Sequence, residues 1–446
     1  MAERPKVVII GGGFGGLWAA GALRNKPVDV TLIDRKNHHV FQPLLYQVAT
    51  AVLSPGEVAQ PIRRILHNAK NIEVILGEAV DFEIATNAVL LGDGSRVQYD
   101  YAIVAAGARH SYFGHDDWQT AAPGLKTVED ALEMRRRILL AFELAEREAY
   151  LDKTMEPLTF VVVGGGPTGV ELAGAIGDIA RQALKNDFKA IDTTKSKVIL
   201  FEGADRILAT YPPGLSASAK RQLESIGVEV RLNSFVTDIE SGRVKVGDEW
   251  INCDVVLWAT GVASSPLGKQ LGAATDKAGR VLVDPDLSLP NAKNVFVIGD
   301  MASLKMENGE PVPGLAPAAQ QMGTLAAKNI LADINGKPRK NFHYFDKGTM
   351  ATIGRSKAIA DIRGWKFSGL IAWFMWLFLH IVLLIGFRNR IYVLLDWGWA
   401  YLTRERSARL ITGDAEELRN ALEFLQARPE SSIAEVVAKP KATAAK

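Results

Sequence analysis

The sequence predicts an α/β protein with two similar doubly wound parallel-sheet domains, the second inserted in the first, followed by a helical C-terminal segment. Two observations predict this architecture. The order strand, glycine turn, helix, strand occurs twice, and each occurrence is followed later by an apolar strand that ends in small residues. A third observation, a tryptophan-rich apolar stretch near the C-terminus, predicts the helical segment.

The composition excludes several classes of protein. The 52 basic and 50 acidic residues leave a net charge of +2, so no nucleic-acid partner is expected. Cys253 is the single cysteine, which excludes a disulfide framework, a CxxC redox pair and a thiolate metal cluster. With seven scattered histidines, no metal site is expected. The apolar run at 7–10 is too short for a secretory leader, so folding is expected to start in the cytoplasm.

The first glycine turn follows the strand KVVII at 6–10 and opens a helix-like segment. Missing side chains at Gly11 and Gly13 let the backbone approach a pyrophosphate, and Gly16 lets the helix close onto its strand. The helix N-terminus would present free N–H groups to the phosphates. The next strand, VTLID, ends at Asp34, whose carboxylate can accept hydrogen bonds from a ribose.

The second glycine turn follows the strand TFVVV at 159–163 and has the same design. Its nucleotide-binding residues are predicted to be Gly164, Gly166, Pro167, Thr168 and Gly169. The following strand ends at Glu202, farther away than the usual ~20 residues, because the chain makes an excursion before it. Glu202 would repel a 2′-phosphate, which predicts NADH over NADPH, although Arg206 lies nearby. The alternative is that the glycines of both turns serve only tight packing.

Three later strands end in turns that complete the two units. The strands at 101–108 and 254–262 end in small residues, which include Ala106, Gly107, Thr260 and Gly261. The strand at 295–300 ends at Asp300, which can accept from a flavin ribityl hydroxyl or simply cap a turn. Between the units, TVED at 127–130 predicts a capping box that opens a connector helix. The arginine run in this helix is expected to be a solvated face.

These motifs resemble those of the two-dinucleotide-binding-domain flavoproteins, and within them the type II NADH dehydrogenases. The resemblance covers about residues 6–412, with its most specific stretches at 38–63, 161–176, 295–300 and 379–403. It implies oxidation of NADH with two-electron reduction of a membrane quinone to quinol through FAD, without proton pumping, by a homodimer of the respiratory chain. FAD would bind in the first unit and NADH in the second.

The resemblance and the turn chemistry together assign candidate residues to each site. The FAD-binding candidates are Gly11, Gly13, Phe14, Gly15, Gly16, Asp34, Arg35, Val80, Ala106, Gly107 and Asp300. The NADH-binding candidates are Gly164, Gly166, Pro167, Thr168, Gly169, Glu171, Glu202, Thr260 and Gly261. The predicted domains are 1–125 and 276–350 for FAD, 126–275 for NADH with the connector helix, 351–427 for membrane anchoring, and 428–446 as a disordered tail.

The quinone-site candidates are Tyr46, Gln47, Ala316, Pro317, Gln320 and Gln321. The family usually places an AQxAxQ motif near the flavin, and in this chain Pro317 replaces its first glutamine while Gln321 matches the second. Glu171 and Gln321 are the candidate catalytic residues. Alternatively, Glu171 complements a helix N-terminus, and Tyr46 and Gln47 serve ordinary packing.

The C-terminal segment predicts attachment to a membrane. Leu370 to Phe387 is apolar except for His380, and as a helix it would be roughly 27 Å long, just under the ~30 Å of a hydrocarbon core. The 364–411 stretch has six basic and two acidic residues, and five of the nine tryptophans fall within 365–399. We expect a monotopic anchor on the cytoplasmic face of the cell membrane. A transmembrane span and a buried dimer seam are the alternatives, and His380 is expected to be a packed histidine.

Two other functions remain open from the sequence. A soluble NADH-dependent reductase of a ferredoxin or rubredoxin would keep both glycine turns but needs a polar docking surface at the C-terminus. A non-enzymatic, nucleotide-sensing membrane scaffold would keep the turns and show no turnover. Close relatives that depend on cysteines, the disulfide reductases and the sulfide:quinone oxidoreductases, are excluded because Cys253 stands alone in a strand-like stretch.

Overall fold

The computed structural model describes residues 4–151, 156–403, 405, 406, 408–413, 416 and 419. The predicted tail at 428–446 and most of 414–427 lie outside the described residues.

The first domain is built on a five-stranded parallel sheet. In spatial order its strands are Val295–Val297, Tyr101–Val104, Lys6–Ile10, Asp29–Asp34 and Ile72–Leu76. Helices Phe14–Leu23 and Ala316–Ile334 pack so closely that a Cβ on Gly323 would lie 2.1 Å from the carbonyl oxygen of Gly15. The edge strand comes from far along the chain, so the first domain is completed only after the second has been inserted.

The second domain repeats this plan with a four-stranded parallel sheet. Its strands lie in the order Val228–Arg231, Lys197–Phe201, Thr159–Val163 and Val255–Trp258. Helices Pro167–Asp178 and Pro213–Glu224 accompany it, and Val236–Glu240, Arg243–Val246 and Glu249–Asn252 form an antiparallel sheet beside it. The predicted α/β fold with an inserted second unit is confirmed, and Cys253 is buried in the core as expected.

Shorter strands and helices complete the two domains, and one strand pair joins them. Strand Ala108–His110 pairs with Val262–Ser264 and so joins the domains directly. The remaining short strands are His38–Val40 with Ala59–Pro61, Val281–Leu282 with Ala302–Ser303, and the sheet of Ala79–Glu83, Ala88–Leu91 and Arg96–Gln98. The remaining short α-helices of the first half are Leu45–Ala49, Pro55–Val58, Ile62–Leu66 and Trp118–Ala121.

The connector helix spans Val128–Tyr150 and begins as predicted. The Thr127 hydroxyl accepts from the Asp130 N–H at 3.1 Å, and the Asp130 carboxylate accepts from the Thr127 N–H at 2.9 Å, which forms the capping box.

The expectation that the arginine run of this helix is solvated is wrong. Arg135, Arg136 and Arg137 are all buried. Arg135 and Arg136 donate to the carbonyl oxygens of Ala408 and Thr412, each at 2.8 Å. The guanidinium groups therefore satisfy backbone acceptors of a C-terminal segment that folds back over the helix, a long-range contact that a local charge pattern does not reveal.

The C-terminal part begins with an antiparallel sheet of Thr349–Gly354, Lys357–Ile362 and Trp365–Ser368. Two helices follow, Leu370–Leu383 and Phe387–Thr403. The continuous apolar stretch to residue 387 is therefore broken, with Gly386 at a φ of +92° between the helices. Among the described residues, no helix is both long enough and apolar enough to cross a membrane.

Candidate functional site

The first glycine turn has the close contacts that only glycine permits. Gly11 has a φ of +102°, and a Cβ there would lie 2.4 Å from the carbonyl oxygen of Ala105. A Cβ on Gly16 would lie 1.8 Å from the carbonyl oxygen of Gly11. By contrast, nothing lies within 4 Å of a Cβ built on Gly13, so the space at the start of helix Phe14–Leu23 is open. This is where a pyrophosphate can approach the helix N-terminus.

Asp34 is held against this turn. One carboxylate oxygen accepts from the Gly12 N–H at 2.5 Å, and the other accepts from the Lys36 N–H at 2.7 Å. The carboxylate is therefore fixed at the end of its strand beside the open space, in the position of a ribose-binding acid. Arg35 is exposed next to it.

The second glycine turn reproduces the geometry of the first. Gly164 has a φ of +110°, a Cβ on Gly169 would lie 1.8 Å from the carbonyl oxygen of Gly164, and Gly166 has open space around it. Glu202 accepts from the Gly165 N–H at 2.6 Å and from the Ala204 N–H at 2.8 Å. Both halves thus present the same combination of an open helix N-terminus and an anchored carboxylate.

The turns after the later strands lie at the same sheet edges. Gly107 (φ +69°) follows strand Tyr101–Val104, and Asp300 lies in the turn Gly299–Met301 after strand Val295–Val297. In the second domain Gly261 has a φ of +70°, and a Cβ there would lie 2.1 Å from the carbonyl oxygen of Ser111. Since the carboxyl ends of parallel strands meet at one edge, these turns and the glycine turns line the same cleft in each domain.

The residues present fit two adenine dinucleotides. Each cleft offers a cradle that a side chain at Gly13 or Gly166 would fill, with a fixed acid one strand away. Helix N-termini complement the pyrophosphate charge, and the carboxylates complement ribose hydroxyls.

A cavity of about 160 Å³ lies between the two domains' helices and the C-terminal part. Its wall combines helices Leu45–Ala49 and Pro167–Asp178, strand Thr349–Gly354 and both C-terminal helices. The candidates Tyr46, Gln47 and Glu171, which are far apart in the chain, meet here. Aromatic side chains complete the wall, namely Trp373, Trp376, Trp397 and Tyr401. No motif assigns them to a site, and the tryptophan enrichment of this stretch is their only signal in the sequence.

A buried hydrogen-bond network fixes this wall. The Gln47 amide donates to the Tyr46 hydroxyl at 2.9 Å, and the Trp397 indole N–H donates to the Gln47 side-chain oxygen at 2.7 Å. Burial, reinforced by the nearby Glu171 carboxyl, raises the pKa of Tyr46 well above its usual value. Tyr46 therefore stays a neutral hydroxyl that can form hydrogen bonds with a ligand in the cavity.

Glu171 lies in the second turn of helix Pro167–Asp178, on the cavity wall rather than at the glycine turn itself. Burial raises the pKa of its carboxyl to about 8, and a hydrogen bond with the Thr352 backbone opposes this shift only in part. At neutral pH the group therefore carries a proton that it can donate.

A largely buried arginine, Arg406, closes another part of the cavity and was not singled out from the sequence. Arg406 donates to the carbonyl oxygens of Thr50 and Ala175 at 2.5 and 3.1 Å. Burial lowers the pKa of Arg406 to about 10, and burial raises the pKa of Asp178 on the same wall. These groups lie where the chain after the second C-terminal helix returns to the second domain, a contact of long sequence separation.

A series of ring contacts links the first glycine turn to the cavity. Phe14 at the start of the first helix contacts Phe41 (5.9 Å between ring centroids), and Phe41 contacts His380 (6.1 Å). His380 stacks on Trp376 at 4.2 Å, and Trp376 lines the cavity. Burial lowers the pKa of His380 to about 4, so it is a neutral, packed histidine, as expected.

The remaining quinone candidates lie at the start of helix Ala316–Ile334 and do not line this cavity. Pro317 lies in the first turn, where an N–H has no partner within the helix, so proline is tolerated there. Gln321 exchanges hydrogen bonds of 2.9 and 3.1 Å with the backbone of Phe345. Gln321 thus connects this helix to the backbone at Phe345. Ala316 and Gln320 lie at the same end of the helix.

Comparisons with known proteins agree with this geometry. Residues 5–323 match the model of the pyridine nucleotide-disulphide oxidoreductase family, and residues 346–405 match the NDH2 C-terminal domain. The type II NADH:quinone oxidoreductase Ndh of Mycobacterium tuberculosis is 45% identical over 438 residues, covering 95% of this chain and 94% of that protein. A type II NADH:quinone oxidoreductase of Haemophilus influenzae is 30% identical over 393 residues, covering 80% and 86%.

Solved structures share the fold. The NDH2 of Plasmodium falciparum, solved in complex with NADH, superposes with a TM-score of 0.81 at 20% identity, covering 92% of this chain and 100% of that one. The sulfide:quinone oxidoreductase of Aquifex aeolicus superposes with a TM-score of 0.70 at 20% identity, covering 87% and 92%. From the family models and the sequence identities, the chain belongs to the type II NADH:quinone oxidoreductases.

Proposed function

We propose that this protein oxidises NADH and reduces a quinone to the quinol, with FAD as its cofactor. The overall reaction is NADH + H⁺ + quinone → NAD⁺ + quinol. When bound, FAD supplies a carrier that accepts a hydride and gives two electrons to a quinone. The protein's own task is to bind and orient the partners, exclude water and hold the proton that the quinone needs.

The first domain would hold FAD and the second NADH. In each, the open glycine turn would receive the pyrophosphate, while Asp34 or Glu202 would accept from the adenosine ribose. Asp300, at the edge of the first sheet, would accept from the ribityl chain. A 2′-phosphate would be repelled by Glu202, so NADH is preferred to NADPH.

The cavity between the helices of the two domains and the C-terminal part receives the quinone head group. Its aromatic walls suit a planar ring, and the Tyr46 hydroxyl can donate to a quinone carbonyl. Glu171, neutral at pH 7, is placed on the same wall to give a proton to the developing quinol.

The two C-terminal helices attach the protein to one face of a membrane. They carry a set of apolar side chains that are 37–81% exposed, namely Leu370, Ile371, Phe374, Phe378, Leu379, Val382, Leu383, Ile391, Tyr392, Leu394, Leu395, Trp399, Tyr401 and Leu402. Lipid would cover this area and deliver a hydrophobic quinone to the neighbouring cavity. We infer monotopic attachment at the cytoplasmic face of the cell membrane, as a homodimer, with ubiquinone as one suitable acceptor.

The main support for this proposal is that Tyr46, Gln47 and Glu171 line one cavity together with the apolar C-terminal helices, and that a series of ring contacts links this cavity to the first glycine turn. A soluble reductase of a small redox protein would present a polar surface there, whereas the exposed side chains are apolar.

The test is steady-state turnover of the purified, FAD-loaded protein. We expect oxidation of NADH that depends on a short-chain quinone, with little activity when ferredoxin or rubredoxin replaces it. Turnover with the redox proteins but not with the quinone would favour the soluble reductase. Absence of turnover with every acceptor would favour the nucleotide-sensing scaffold.

A further inference from the structure

Phe235 is a large aromatic residue that lies in solvent beside the second glycine turn. Its side chain is 71% exposed. The ring rests on Gly203, where a Cβ would lie 2.4 Å from the ring carbon Cε1. Gly203 directly follows Glu202, so the absence of a side chain at 203 gives the ring its place next to the anchored carboxylate.

Main-chain hydrogen bonds hold the segment that carries Phe235 next to Glu202. The Ser234 N–H donates to the carbonyl oxygen of Glu202 at 2.9 Å, and the Asn233 N–H donates to that of Ala204 at 3.0 Å. Asn233 adopts a φ of +52°, which turns the chain so that residue 235 faces the strand end. Main-chain hydrogen bonds therefore hold the backbone next to Phe235 close to Glu202.

From this geometry we propose that Phe235 stacks on the adenine ring of NADH and is a positioning residue for that substrate. The inference deepens the proposed function and rests on it. A carboxylate that accepts from the adenosine ribose fixes the sugar. Because adenine is joined to that same sugar, the base must lie beside Glu202. The exposed ring of Phe235 lies at this position. Stacking on an aromatic side chain is a common way to bind an unpaired base.

The internal repeat of the molecule supports the assignment. In the first domain the Gly77 N–H donates to the carbonyl oxygen of Asp34 at 2.9 Å, as the Ser234 N–H does to Glu202. The strand Ala79–Glu83, which follows Gly77, carries Val80, a 44% exposed FAD-binding candidate. The turn after strand Val228–Arg231 carries Phe235 in the corresponding region. Each half thus has an exposed apolar side chain near its ribose acid. In the first half this residue is Val80, and in the second it is the aromatic Phe235.

The test compares NADH with reduced nicotinamide mononucleotide, which has no adenine. We expect Phe235→Ala to raise KM for NADH roughly tenfold with kcat unchanged, because one base-stacking contact is lost. The constants for the mononucleotide should not change. The inhibition constant of ADP-ribose should rise with KM for NADH. Phe235→Trp should restore the wild-type values, whereas Phe235→Leu should not.

Two further variants control the experiment. Gly203→Ala should displace the ring and raise KM for NADH as Phe235→Ala does. Trp250→Ala removes an aromatic side chain from the neighbouring antiparallel sheet, where it lies 4.3 Å from the Arg243 guanidinium, and should change nothing. An unchanged KM for NADH in Phe235→Ala, or an equal loss with the mononucleotide, would overturn the inference. If wild-type protein failed to oxidise NADH, the proposed function itself would fail, which is a distinct result.

Discussion

The Trp397 indole donates to the Gln47 side-chain oxygen at 2.7 Å, and both side chains are buried. This bond joins the second C-terminal helix, Phe387–Thr403, to the short helix Leu45–Ala49 of the first domain. The two residues are 350 positions apart in the chain. Because Gln47 in turn donates to Tyr46, the position of the second C-terminal helix and the wall of the cavity depend on each other.

Replacing Trp397 by Phe should therefore disturb quinone binding more than NADH binding. The Gln47 oxygen would lose its donor while remaining buried, which costs about 1–3 kcal/mol. We expect a severalfold higher KM for quinone, an unchanged KM for NADH and a lower free energy of unfolding, measured by kinetics and denaturant titration. Trp399→Phe is the matched control, since Trp399 is 59% exposed. If both variants behaved alike, the indole–amide bond would have no role in the cavity.

Glu171→Gln should remove a pH dependence from quinone reduction. The wild-type carboxyl keeps its proton up to a pKa of about 8, so proton donation should decline as the pH rises through 8. Glutamine cannot donate that proton as an acid, so the variant should have a lower kcat, by roughly 10²-fold, without the inflection. The measurement is kcat against pH with a short-chain quinone. A variant profile with the wild-type inflection would exclude Glu171 as its source.

The same substitution should change stability with pH in a defined direction. The Glu171 pKa is raised from 4.5 in the unfolded chain to about 8 in the folded protein. Between these values the folded protein holds a proton that the unfolded chain releases, so the wild type loses stability as the pH rises from 4.5 to 8. Glu171→Gln should be nearly as stable as wild type at pH 5 and more stable at pH 8. Chemical unfolding at both pH values measures the difference, and equal differences at both would contradict burial of the carboxyl.

Glu202→Ala should weaken NADH binding. The variant loses the ribose acceptor and leaves the N–H groups of Gly165 and Ala204 without their carboxylate. We expect KM for NADH to rise at least tenfold, as about 1.5–3 kcal/mol is typical of a charged hydrogen bond, and discrimination against NADPH to fall. Glu240→Ala, an exposed residue of the neighbouring sheet, is the control. Unchanged affinity for NADH would show that the ribose is bound elsewhere.

Charges on the apolar C-terminal face should release the protein from lipid. Phe378 and Leu402 are 69% and 81% exposed, so replacing both by Glu should not disturb the core. We expect co-sedimentation with vesicles to fall strongly, while turnover with a water-soluble short-chain quinone stays near wild type. Phe113→Glu, which changes a 67% exposed side chain on the first domain, should still bind vesicles. Full binding by the double variant would place the lipid contact on another surface.

The local parts of the fold and site could be predicted from the sequence. Glycines at fixed spacing after a strand specify the turn, because a Cβ on Gly16 or Gly169 would collide with the chain's own backbone. The acids at Asp34 and Glu202 follow from the end of the next strand, and the capping box at Thr127 from three adjacent residues. In each case the interaction is set within one supersecondary unit.

The parts that could not be predicted depend on long-range contacts. Arg135 and Arg136 look like part of a solvated helix face until the C-terminal segment supplies carbonyl acceptors. Glu171 resembles a residue of the nucleotide turn, yet its helix presents it to a cavity completed by Trp376 and Trp397. The register that brings these elements together is decided by packing between domains, which a local motif does not encode.

If the protein holds two adenine dinucleotides and a quinone in electron-transfer contact, electrons should pass from NADH through the flavin to the quinone. Anaerobic stopped-flow absorbance of the FAD-loaded protein measures this transfer, by mixing first with NADH and then with a short-chain quinone. We expect the yellow flavin absorbance to bleach within the time of one turnover and to return on addition of quinone, with one quinol formed per flavin. Absorbance that does not bleach with NADH, or that bleaches and does not return with quinone, would show that electrons do not pass from NADH through the flavin to a quinone.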